Sequence, residues 1–176
     1  MEKVLDESRS RCLRHFFRDP NVASARGFVV TGSSPMTLKD LAKAMCDNDF
    51  AMLTTRAEDD SKAALPMNNN GEVDFDGDSR YFTWEHSRMV RDIGGDPQVG
   101  LTFQGGKGLF GKQPLFVAVE GVAEVTRDKA AFASHWTSGP TRWFEQGIDT
   151  HGVVMIKVHA TRIHHGDGED EAELRL

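Results

Sequence analysis

Between Phe50 and Trp84 the chain offers three strand-like segments, and the links between them are too short to carry a helix. The segments are Phe50 to Thr55 (FAMLTT), Lys62 to Asn68 with its Leu65 and Met67, and Arg80 to Trp84 (RYFTW). Asp59, Asp60 and Ser61 make the first turn, and Asn69 to Gly71 with Asp74 to Asp78 supply the next. Parallel neighbours need a crossover of about a dozen residues or more, usually helical, so these strands are expected to pair antiparallel. Val99 to Gln104, Leu115 to Val125 (interrupted only by Gly121) and Val153 to Val158 add further strands. Helical spacing is confined to short stretches. Leu38, Leu41, Ala42 and Met45 follow one face behind a Thr37 cap, Val90 and Ile93 do so in Arg88 to Gly94, and AAFASHW offers Ala130, Phe132 and Trp136 as inward positions. The expected fold class is mostly β: an antiparallel β-barrel with helices.

Composition bounds the function. A chain of 176 residues with 39% hydrophobic and 27% charged residues is long enough to bury a core without metal or disulfide staples. The net charge of −6 argues against a nucleic-acid backbone or an anionic membrane as the main partner, and the longest strongly apolar run, Leu115 to Val119, is far below membrane-spanning length. The first residues hold no signal-peptide core, and Cys12 and Cys46 form no disulfide framework or CxxC pair, which points to a reducing cytoplasm. Three units are expected: a flexible appendage over residues 1–35, a domain over 36–165, and a disordered acidic tail over 166–176.

The stretch Tyr81 to Ile93, YFTWEHSRMVRDI, changes period in its middle. Ser87 is the natural cap where strand gives way to helix, and Thr83, Ser87 and Arg88 stand beside the free N–H groups of the first turn. Such a junction is an ordinary capped helix or an anion seat. Other motifs dissolve on inspection. Gly106 to Lys112 matches GxxxxGK, but Gln113 replaces the Ser or Thr, and Pro114 opens a strand where a helix should begin. Asp74, Asp76, Asp78 and Glu85 imitate a calcium loop, but Ser79 holds the glycine position. Histidines 151, 159, 164 and 165 lack HxxxH or HExxH spacing, and no nucleophile elbow is present.

Taken together, AMLTTR at 51–56, LPM at 65–67, YFTWEHSRMV at 81–90, DPQVGLTF at 96–103 and VEGVAEV at 119–125 resemble the pyridoxamine 5′-phosphate oxidase-like flavoproteins, most closely their general stress protein branch. The resemblance covers about residues 36 to 160. It implies a split β-barrel homodimer of the FMN-binding type, with flavin mononucleotide (FMN) in the cleft between subunits and possible oxidoreductase chemistry at the flavin ring. Carried over by position, Phe82, Thr83, Ser87 and Arg88 would contact the phosphate. Leu65, Pro66 and Met67 would run along the ring and ribityl chain, and Trp143 would lie near the ring from the other subunit. No catalytic residue follows.

Three positions depart from the family pattern: Leu65 replaces an arginine, Met89 a frequent lysine, and Phe116 a flavin-contacting glutamine. Losing two cations removes charge-assisted bonds of about 1.5–3 kcal/mol each. Arg56, Arg80 and Arg91 are candidates to compensate. The alternative function is a split barrel that has lost FMN and serves as a small-ligand-binding or interaction module.

Overall fold

The computed structural model describes residues 28–31, 36–69, 75–104, 115–167 and 171–176. Among the described residues eight strands form one antiparallel sheet: β1 (Phe28–Thr31), β2 (Phe50–Arg56), β3 (Lys62–Asn68), β4 (Asp78–Trp84), β5 (Gln98–Gln104), β6 (Phe116–Thr126), β7 (Val153–Gly166) and β8 (Glu171–Arg175). Helices α1 (Leu38–Cys46), α2 (Arg88–Gly95), α3 (Lys129–His135) and α4 (Ser138–Thr141) fill the connections. Neighbouring strands run β1-β8-β7-β6-β5-β2-β3, with β4 paired to β7 beside that path. The 14-residue length of β7 makes this possible. One of its edges is paired with β6, while the other takes β4 over 153–159 and β8 over 162–166. Among the described residues no ladder joins β3 to β4, and the barrel is split there.

Strand alternation sets the core. Ala51 and Leu53 of β2, Leu101 and Phe103 of β5, Val117 and Val119 of β6, and Val154, Ile156 and Val158 of β7 all point inward. Leu41, Ala42 and Met45 of α1 and Met89, Val90 and Ile93 of α2 join the same cluster. The start of α1 is fixed by a capping box. The Thr37 hydroxyl oxygen accepts from the Asp40 amide at 3.2 Å while Asp40 accepts from the Thr37 amide at 3.0 Å. A second cluster on the outside of β4 and β7 packs Phe82, Phe132, Trp136, Phe144 and Met155. There Phe132 and Trp136 are inward as expected, whereas Ala130 is exposed.

Several expectations need correction. The closing strand continues past Val158 to Gly166, and within the tail expected to be disordered Glu171–Arg175 is a strand that pairs with β7 and with β1. The acidic composition hid a strand whose Leu174 is buried and whose Glu173 faces Arg162, His164 and Arg175. The segment expected to be a flexible appendage contributes β1, and the rest of it lies outside the described residues. Asp76 and Asp78 hold Arg80, each at 3.2 Å, as parts of a charged turn. Asp74 and the glycine-rich stretch after Gln104 lie outside the described residues.

Candidate functional site

The turn from β4 into α2 is held at three points. The Glu85 amide donates to the Gly152 carbonyl at 2.8 Å, the Ser87 amide donates to the Trp84 carbonyl at 3.0 Å, and the Ser87 hydroxyl caps the Val90 amide at 3.4 Å. Because Met89, Val90 and Ile93 anchor α2 in the core, Arg88 is left on the outer side. Its Nη2 donates to the Ser61 hydroxyl at 3.2 Å, so the guanidinium reaches the β2–β3 turn. Its Nε lies 3.4 Å from Asp92, whose carboxylate also accepts from the Thr55 hydroxyl at 2.8 Å. Ser61 in turn serves Asp59: hydrogen bonds from its hydroxyl and amide hold the Asp59 carboxyl below the ordinary carboxylate range.

The opposite wall is β3. Leu65 stands across from Leu53, yet Leu53 is 0% exposed and Leu65 is 40% exposed, because β3 borders the split. Pro66, which has no N–H to donate, suits such an edge. Met67 turns into the core opposite Ala51. Thr83 is half-buried beside Val154, and the ring of Phe82 is packed 5.5 Å from Phe132 and 4.6 Å from Trp136. Trp143 is 59% exposed in the segment after α4. Helix α4, just before it, lies close to β3 of its own chain, since a Cβ built on Gly139 would sit 2.6 Å from the Asn68 side-chain oxygen.

The structure therefore brings Arg88 to the β2–β3 turn, keeps Ser87 as the cap of α2, and leaves Leu65 and Pro66 exposed on β3, while Phe82 and Met67 serve packing. Sequence reasoning missed Ser61, Thr55 and Asp92. Only Asp92 had a signal, its i,i+4 spacing from Arg88. Two of the three candidate compensating cations are engaged elsewhere, while Arg91 is exposed on α2. Arg56 donates to Asp96 at 2.7 Å, and Arg80 is gripped by Asp76 and Asp78. Met89 is 4% exposed and faces the core, so that position lies outside any phosphate site. These residues fit the neutral parts of a flavin, with an apolar edge for the ring and hydroxyls and first-turn N–H groups for the polyol. They fit its dianionic phosphate poorly, since Arg88 is already paired.

An open cavity of about 1100 Å³ lies elsewhere, on the outer face of the sheet. Phe50, Met52, Thr102, Gln104, Phe116 and His164 line it; Phe116 stands where the family has a flavin-contacting glutamine, whereas none of the residues expected to hold the flavin lines the cavity. Among the described residues no helix is long and apolar enough to cross a membrane.

Known proteins resemble this chain mainly in structure. General Stress Protein 26 from Bacillus anthracis superposes with a TM-score of 0.62 at 23% identity, over 80% of this chain and 100% of that one. A protein from Mesorhizobium loti described as FAD-binding gives 0.59 at 17%, over 80% and 96%. A heme-binding protein from Mycobacterium smegmatis gives 0.59 at 14%, over 80% of this chain and 59% of that one. No protein of curated function matches the sequence. At these identities the likeness shows the fold, a split β-barrel. The family model described as "Pyridoxamine 5'-phosphate oxidase like" matches residues 36–170, and the chain belongs to that family.

Proposed function

We propose that the protein binds a flavin in the split between β3 and the β4–α2 junction, with FMN as the form the family implies, and acts as a flavin-dependent oxidoreductase. One observation carries this reading: Arg88 bridges from the capped start of α2 to Ser61 on the turn that leads into β3, the strand on which Leu65 and Pro66 are exposed. A bound flavin would supply the redox chemistry. The chain supplies an apolar edge that excludes water from one side, and hydroxyls at Thr83, Ser87 and Ser61 that orient the ribityl chain and its terminus. Trp143 would lie near the ring.

The reading includes a homodimer in the cytoplasm. Phe50, Met52 and Phe116 are exposed apolar side chains on the face that lines the open cavity, and a second copy seated there would cover them. The second reading, a barrel that has lost its flavin and takes another small ligand or a partner, is favoured by the pairing of Arg88 with Asp92 and by apolar Leu65. Purified protein separates the two. Absorbance near 450 nm (about the usual flavin band), or quenching of flavin fluorescence on titration, supports the flavin reading. A colourless protein that quenches neither FMN nor riboflavin at high micromolar concentration overturns it in favour of the second.

A further inference from the structure

The cation at the start of α2 is charge-neutralised by its own helix. Asp92 is held in place from below, its side chain only 9% exposed and its carboxylate bonded to Thr55, which is itself 2% exposed. Nε of Arg88 points at that carboxylate, and Nη2 points at Ser61, whose hydroxyl and amide serve the carboxylate of Asp59. One guanidinium thus stands between one carboxylate in direct contact and a second relayed through a hydroxyl. Arg56 and Arg80 are committed to other partners, Leu65 is apolar, Met89 is buried, and Arg91, exposed three residues further along α2, is the remaining candidate cation. Coulomb energy falls only as the inverse of distance, so a carboxylate about one guanidinium width beyond the cation cancels a large share of its pull on a phosphate. At the Arg88 end of the site what remains are the hydroxyls and first-turn N–H groups, which suit a neutral alcohol as well as a phosphate oxygen.

Resting on the flavin reading above, we infer that this chain recognises the flavin by its ring and polyol, does not select FMN over the uncharged riboflavin, and owes that indifference to Asp92. Titration of the full chain with FMN and with riboflavin, followed by flavin fluorescence, should give dissociation constants within about tenfold of each other. Asp92→Asn keeps an acceptor for Thr55 and unmasks Arg88. It should tighten FMN about tenfold and leave riboflavin unchanged. Arg88→Gln, at an exposed position that does not threaten folding, should change the ratio of the two constants by less than about threefold. The inference is overturned if the unaltered protein prefers FMN by about a hundredfold or more. It is also overturned if Asp92→Asn leaves the ratio where it was, or if Arg88→Gln abolishes FMN binding alone. Failure of both flavins to bind would instead remove the flavin reading itself, and this inference with it.

Discussion

At Gly121 a single hydrogen atom decides how β6 and β7 meet. A Cβ there would lie 2.5 Å from the His159 carbonyl oxygen and 2.9 Å from a Val158 methyl, at the position where the β6–β7 register shifts. Backbone cannot step aside as a flexible side chain can, so Gly121→Ala should destabilise the fold by about 1–3 kcal/mol, read as a lower urea midpoint. Gly100→Ala is the control. Its Cβ would find nothing nearer than 3.8 Å, and the same change there should cost little or nothing. A second residue-scale effect is electrostatic. Burial holds the His165 imidazole below its ordinary value of 6.5, and its Nε2 has no hydrogen-bond partner among the described residues. The unfolded chain therefore binds the proton more readily than the folded one. The contribution of His165 to stability is fully present above about pH 6.5 and is lost as the pH falls towards its lower folded value. His135, also held low by burial, acts in the same direction. In His165→Leu the loss of stability between about pH 7 and 5 should become shallower, with His135 accounting for the slope that remains; an unchanged slope would refute the assignment.

At the scale of elements, the acidic C-terminus is a working strand. Leu174 is buried and stands in register with Ile163 of β7, while β1 pairs along the other edge of the strand, and Glu173 gathers Arg162, His164 and Arg175 around it. Leu174→Ala should cost about 2–5 kcal/mol, whereas a disordered tail would register no change in the unfolding midpoint. This strand also shows where sequence reading stops. Strands β2 to β6 announce themselves because aliphatic, aromatic and β-branched residues are bounded by turn residues such as Asp59-Asp60-Ser61, and α1 and α2 because Thr37 and Ser87 are true caps. In β8 and the second half of β7 the signal is diluted by charge. The pattern EAELR reads as solvated until Arg162 and His164 are known to lie across from it. The site divides in the same way. The β4–α2 junction was legible because it is local. The contacts from Arg88 to Ser61 and from Asp92 to Thr55 span 27 and 37 residues, and no local period encodes them.

For the whole molecule, the sheet has one face that the chain's own core does not use. Curling β2 to β7 into a barrel buries Ala51, Leu53, Leu101, Phe103 and Val117, and the alternation that turns these inward turns Phe50, Met52, Thr102, Gln104 and Phe116 outward. A solvated outer face is expected to be polar at such positions. Here two phenylalanines and a methionine, 51%, 46% and 37% exposed, border one open cavity instead. The proposed dimer explains that choice, because a self-complementary patch repeats each apolar side chain across a two-fold axis, and stable interfaces of this kind bury about 1,600 Å² in total. Placing a charge in the middle of the patch should then separate the copies without disturbing the barrel, since Phe116 contributes nothing to the core. Phe116→Glu is expected to sediment as a monomer at concentrations where the unaltered chain is a dimer, with the same far-ultraviolet circular dichroism and thermal unfolding that still gives one transition. If the unaltered chain is monomeric, or if Phe116→Glu remains dimeric, the second copy does not sit on this face. Flavin affinity measured on the same two samples then ties the face to the site: a ligand held between subunits must weaken when they part, and one held by a single barrel must not.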